Sequence, residues 1–301
     1  MQYLHTGSRL GLIAPSSPVY ERENQLAAIH LLKSLGFEVK AFESICAQRG
    51  YLSGSDAIRA RDIMDAFADP AIDGVVCLRG GYGCSRLLPL IDYEIIRQNP
   101  KPFVGFSDIT ALHLAFYEKT RLITYHGPMP GSRSLSGLRE KNSLKMWVDT
   151  LGGQPSRTLY NPNGESFIPF HPGRAGGILL GGNLTVLTSL IGSPYLPDFT
   201  GKLLLLEDVG ERPYRIDRML TQLRVSGILD RVAGIVLGDF TDCEEEPSRP
   251  SLALEEIFRE LLPPVPTIWN VHAGHGQDKM TLCLGAPYWL DADKAQLILM
   301  A

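Results

Sequence analysis

The sequence predicts an α/β protein built on a mostly parallel sheet, in two domains. Short apolar runs alternate with stretches of helical period, the pattern of right-handed βαβ units whose helices cover both faces of a sheet. The chain has 301 residues, about twice the ~150 of a usual domain. The alternation fades between Gly131 and Gly173, where Gly, Pro, Ser and Asn surround one amphipathic helix. These features place an N-terminal α/β domain over residues 1–150, a linker region over 151–172 and a C-terminal domain over 173–301.

Each element has its own signal. Arg9–Ala14 is an apolar run closed by Pro15, a buried strand. Ala28, Leu32 and Leu35 share one face of a helix over 21–35, with Gly36 as its stop. Residues 37–42 alternate with a period of two, as a half-buried strand does. A helix over 56–68 and a strand over 73–78 follow. Beyond them come a strand over 101–105, a helix over 108–118 and a strand over 122–125. The weak stretch carries a helix over 142–151. Then come a strand at 178–180, a helix over 183–190, a strand over 202–206 and a helix over 214–225 that Pro213 is placed to start. A strand over 234–238, a helix over 253–262 and short strands at 267–269, 280–282 and 296–299 complete the chain.

Composition narrows the function. Lys and Arg number 29 against 33 Asp and Glu, a net charge of −4 with no sustained basic run, which argues against nucleic acid as a partner. Apolar runs are only strand-length, so no membrane span is expected. The five cysteines are scattered with no CxxC pair, so neither a disulfide framework nor a zinc ribbon is indicated. The start of the chain has no basic segment leading into an apolar one, and a cytoplasmic location is expected. No metal or cofactor is implied.

In open parallel sheets ligands bind beyond the carboxyl ends of strands, and three such places stand out. Leu78-Arg-Gly-Gly-Tyr-Gly83 is a glycine turn whose free N–H groups suit a phosphate or an oxyanion, or it is a plain turn. Gly105-Phe-Ser-Asp108 ends a strand and begins a helix, where Ser107 resembles a nucleophile elbow; the second glycine of that pattern is replaced by Ile109, and the segment alone favours an N-cap. Glu207 and Asp208 end the 202–206 strand, and His275 lies in a glycine-rich loop with no apolar face to hide in. Ser107, Glu207 and His275 together supply nucleophile, orienter and base. Competing features are weaker. Cys84 at a helix start is either a nucleophile or a small semi-buried side chain. His113 reads as packing or surface, His272 and His275 lack a third metal ligand nearby, and Glu244–Glu246 reads as a solvated loop.

Five motifs resemble, in order and approximate spacing, those of the LD-carboxypeptidases, a family of serine peptidases. They are Arg79-Gly-Gly-Tyr-Gly83, Gly105-Phe-Ser-Asp108, Gly181-Gly-Asn183, Leu206-Glu-Asp208 with Glu211–Leu220, and Gly274-His275. The resemblance implies a flavodoxin-like or amidotransferase-like N-terminal domain, a smaller β-rich C-terminal domain, an active site between them and a homodimer. It also implies removal of the terminal D-alanine from cytoplasmic murein tetrapeptide in cell-wall recycling. Carried over by position, Ser107 is the nucleophile, Glu207 the orienting acid and His275 the base, with an oxyanion hole from the Asp108 amide and Gly80 or Gly81. Asn183 and the arginines Arg79, Arg86 and Arg215 are candidates for substrate binding, since a guanidinium matches a terminal carboxylate in two-point geometry. Two positions depart from the family pattern: Cys283 stands where proline is usual, and Ala273 precedes Gly274-His275. Alternatives are a related peptidase of the microcin-immunity type and a non-enzymatic module binding a nucleotide or sugar phosphate.

Overall fold

The computed structural model describes residues 3–131, 138, 140–245 and 249–300. The weak stretch at 132–137 and 139, and Glu246 of the acidic loop, lie outside the described residues. The chain opens with β1 (Arg9–Ile13), α1 (Arg22–Ser34), β2 (Glu38–Ala41), α2 (Asp56–Ala68) and β3 (Gly74–Cys77), then α3 (Tyr93–Gln98), β4 (Phe103–Gly105), α4 (Thr110–Thr120) and β5 (Thr124–His126). These strands lie in the order β5-β4-β3-β1-β2, all parallel. Ser55 caps α2 by accepting from the Ile58 N–H at 3.2 Å, and Gly36 follows α1 at φ +90°, as its sequence position predicts.

The chain continues with α5 (Lys141–Leu151), β6 (Ile168–His171), β7 (Arg174–Asn183), α6 (Leu184–Ser189), β8 (Leu203–Val209), α7 (Pro213–Val225), β9 (Gly234–Thr241), α8 (Leu254–Leu261) and β10 (Thr267–Trp269). It ends with β11 (Leu282–Leu284), β12 (Pro287–Asp291) and β13 (Gln296–Leu299). The second sheet runs β13-β12-β7-β8-β9-β10-β6, with a parallel centre from β7 to β10 and antiparallel strands at both edges. Leu203–Leu206 are wholly buried at that centre, where each leucine contributes roughly 2 kcal/mol of apolar burial.

The structure departs from the sequence reading at five elements. β6 forms inside the segment read as linker, and α3 and β12 had no clear sequence signal. β7 has ten residues rather than three, because pairing with β8 and β12 holds Gly176, Gly177, Gly181 and Gly182 in the strand. The strand expected at 280–282 forms at Leu282–Leu284 and joins the first sheet, antiparallel to β5. There the Cys283 N–H donates to the Tyr288 hydroxyl at 3.0 Å, a bond proline could not make.

Candidate active site

β4 runs into a short 3-10 turn, Ser107–Ile109, that leads into α4. Ser107 is half-buried at φ +66°, a left-handed conformation in which its hydroxyl makes no capping bond. Ser107 is therefore not the N-cap: Phe106 holds that position for the 3-10 turn and Ile109 for α4. The Asp108 carboxylate points the other way. Its Oδ2 accepts from Ser16 Oγ at 2.6 Å and from the Cys84 N–H at 2.9 Å, tying the turn to the loop after β1 and to the glycine turn after β3.

That glycine turn lies against the serine. A Cβ built on Gly80 would stand 2.8 Å from Ser107 Cβ and 2.9 Å from its Oγ. Among the described residues the N–H groups of Gly80 and Gly81 have no hydrogen-bond partner, so they are available to an oxyanion. Arg59, wholly buried, holds the turn from below by donating to the carbonyls of Pro15 at 2.5 Å and Gly83 at 3.0 Å.

Glu207 and His275 meet from separate strands and loops. β8 is irregular between Leu206 and Asp208, and Glu207 is wholly buried there. His275 Nδ1 donates to Glu207 Oε2 at 2.8 Å. Gly274 lets the loop pass: it sits at φ +139°, and a Cβ there would stand 2.6 Å from Glu207 Oε2. Burial raises the Glu207 carboxyl above the usual carboxylate range, and the charge and hydrogen bond of His275 oppose that rise. The Phe106 ring, one residue before Ser107, packs 4.9 Å from the His275 ring, so the serine turn and the histidine loop lie against each other.

The remaining predicted residues divide by their partners. Arg79 donates to the carbonyls of Pro18 at 3.0 Å and Gly80 at 3.2 Å. Arg86 is bound through Nε and Nη2 to the Asp56 carboxylate, and Arg215 pairs with Glu211 at 3.2 Å. Asn183 accepts from the Val186 N–H to cap α6 and donates to Asp208 Oδ1. Cys84 is wholly buried and burial pushes its thiol well up, which overturns the nucleophile reading. His113 bridges the Gly105 carbonyl and Thr124 Oγ1, and burial lowers it to about 4, so it packs as a neutral ring. His272 lies 3.3 Å from Glu165, and among the described residues no cluster of three or more His, Cys, Asp or Glu could hold a metal ion. No described helix is long and apolar enough to cross a membrane.

Sequence reasoning missed Arg59, the Asp108 carboxylate, Asp239 and Lys279. Asp239 had a signal. It follows the apolar run Gly234–Gly238, and the strand-end rule applied to β3, β4 and β8 reaches it equally. Arg59 sits mid-helix and reads as a solvated charge; only long-range bonds reveal it.

A half-buried serine in a left-handed turn, glycine N–H groups beside it and an imidazole held by a buried carboxylate are the kinds of group a serine-type hydrolase requires, here on an α/β scaffold. Sequence profiles of the LD-carboxypeptidase N-terminal and C-terminal domains match residues 10–127 and 176–290. A probable murein peptide carboxypeptidase from Bacillus subtilis is 37% identical over 94% of this chain and 88% of its own. The microcin C7 self-immunity protein of Escherichia coli is 27% identical over 98% of this chain and 93% of its own. The crystal structure of muramoyltetrapeptide carboxypeptidase from Oxalobacter formigenes superposes with a TM-score of 0.84 at 30% identity, covering 96% of this chain and 97% of that one. The chain belongs to the LD-carboxypeptidase family and is a serine carboxypeptidase, a hydrolase of peptide bonds.

Proposed function

We propose that the enzyme hydrolyses the L,D-peptide bond that releases the terminal D-alanine of murein tetrapeptide in cell-wall recycling, through a Ser107–His275–Glu207 triad and an acyl-enzyme. One observation carries this reading: the hydrogen bond of His275 to the buried Glu207, beside the turn that holds Ser107 at positive φ. With Nδ1 committed to Glu207, Nε2 is the nitrogen left to take the Ser107 proton. Ser107 Oγ then attacks the carbonyl of the L-configured centre before D-alanine. The oxyanion rests on the N–H groups of Asp108 and of Gly80 or Gly81, and losing one such donor costs about 10²–10³ in rate. His275 protonates the departing D-alanine amine. Water, deprotonated by the same ring, opens the ester and frees Ser107, while Glu207 fixes the tautomer and supports the transient imidazolium.

Of the three arginines, Arg79 is the one whose guanidinium meets only main-chain carbonyls among the described residues, while Arg86 and Arg215 are engaged by carboxylates. Arg79 is therefore the residue we assign to the terminal carboxylate. The family resemblance adds a homodimer acting in the cytoplasm.

Alanine release from an L,D-tetrapeptide tests the reading. Ser107→Ala and His275→Ala are expected to lose at least ~10³-fold in kcat, and Glu207→Gln about 10²–10⁴-fold. Full activity in Ser107→Ala removes the mechanism. The likeness to the microcin C7 self-immunity protein favours a second reading, a peptidase of the microcin-immunity type, for which the resemblance implies a peptidyl-nucleotide amide as substrate. A higher kcat/KM on that amide than on the tetrapeptide would select it.

A further inference from the structure

Two charged side chains beside the histidine loop, Asp239 half-buried and Lys279 buried, are not used by this mechanism. Asp239 stands in β9 next to the bulge that carries Glu207, and Lys279, 2% exposed, closes the loop. Between them they hold the backbone of Gly276, immediately after His275, through the peptide groups on either side of its Cα. Its N–H donates to Asp239 Oδ2 at 3.2 Å, and its carbonyl accepts from Lys279 Nζ. The fit leaves no space: a Cβ on Gly276 would stand 2.8 Å from Asp239 Oδ2. Both side chains are themselves anchored. The Asp239 N–H donates to the Ala273 carbonyl at 3.1 Å, and the Lys279 N–H to Ser143 Oγ of α5 at 2.9 Å. Lys279 Nζ also lies 5.8 Å from the centre of the Phe106 ring, the ring that packs His275.

We propose that Asp239 and Lys279 are positioning residues for His275, a charged clamp on the backbone of Gly276 that fixes the imidazole between Glu207 and Ser107. The proposal rests on the triad reading above. Its physical basis is what charged groups drawn out of water can and cannot supply. Desolvating two charges costs about as much as their attraction returns, and well-packed apolar side chains hold a fold as well or better. What the charges add here is direction, because each aims a charge-assisted hydrogen bond at one of the two peptide groups flanking the same Cα. A displacement of ~1 Å at a reacting group costs about 10² in rate. Burial presses on both partners, raising Asp239 to about 6 and lowering Lys279, and each charge opposes the shift of the other.

The test measures alanine release and thermal unfolding for the wild type, Lys279→Met, Lys279→Arg, Asp239→Asn and the Lys279→Met/Asp239→Asn double variant. A clamp predicts that Lys279→Met and Asp239→Asn each lose about 10–100-fold in kcat with KM within about 2-fold, and that Lys279→Arg recovers most of the loss. The double variant, its charges removed together, is expected to stay folded and remain slow. A purely structural role moves stability instead. Wild-type kcat in both single variants overturns the proposal, as does a loss confined to KM. If Lys279→Met does not fold, Asp239→Asn and Lys279→Arg decide by the same criteria. Ser107→Ala separates the two claims: an active Ser107→Ala sinks the triad itself, whereas an inactive Ser107→Ala beside fast clamp variants sinks the clamp alone.

Discussion

Ser107 at φ +66° holds a conformation that costs a non-glycine residue about 1–3 kcal/mol and persists only where the surroundings over-determine it. Here Asp108 bonds across two loops and Phe106 packs on His275, so the turn cannot relax without breaking contacts on both sides. The tightest neighbour is Gly80. Its φ is not in the left-handed region, so Gly80→Ala introduces a collision with Ser107 and no backbone strain of its own. We expect Gly80→Ala to lose about 10²-fold in kcat, with a small change in melting temperature, as read by alanine release and calorimetry. Ser107, Glu207 and His275 were legible because each follows an apolar strand or sits in a glycine loop. The Asp108 carboxylate, bonded to Ser16 and Cys84, was not, because nothing local in sequence marks a bond of that range.

Elements were legible where burial follows one period. α2 spans residues 56–68 as the periodicity predicts, and β8 begins where the leucine run does. β7 escaped because four of its ten residues are glycines, which read as loop and are held in the strand by partners on both sides. β6 escaped because Pro169 and a short mixed sequence suit only an edge strand, which is where it lies. α2 also carries the element-level support of the site. Arg59 leaves it to reach the carbonyls of Pro15 and Gly83, joining the end of β1 to the glycine turn. Arg59→Met leaves those buried acceptors and Asp56 without this partner, at an expected cost of about 3–5 kcal/mol. Urea unfolding checks it, and an unchanged midpoint would show that the turn is held without the arginine.

At the scale of the whole molecule, the boundary near residue 150 marks a change in sequence pattern, yet one core crosses it. Leu112 and Phe116 of α4 belong to the same apolar cluster as Leu180, Leu184 and Leu204 from the second half. α4 is buried from Thr110 to Phe116, all the way round, which a surface helix of a free-standing domain is not. β11 completes the first sheet from the far end of the chain and covers the edge of β5. Without it, the buried residues Thr124–His126 would present an open strand edge with unpaired backbone groups, which invites pairing with another chain. The full chain is therefore expected to unfold in one cooperative transition, with calorimetric and van't Hoff enthalpies equal. A fragment of residues 1–172 is expected to be insoluble or to bind a hydrophobic dye, and co-expression with residues 173–301 to restore both solubility and alanine release. A monomeric 1–172 fragment with its own sharp transition would instead show that the halves fold separately and meet only at the catalytic cleft.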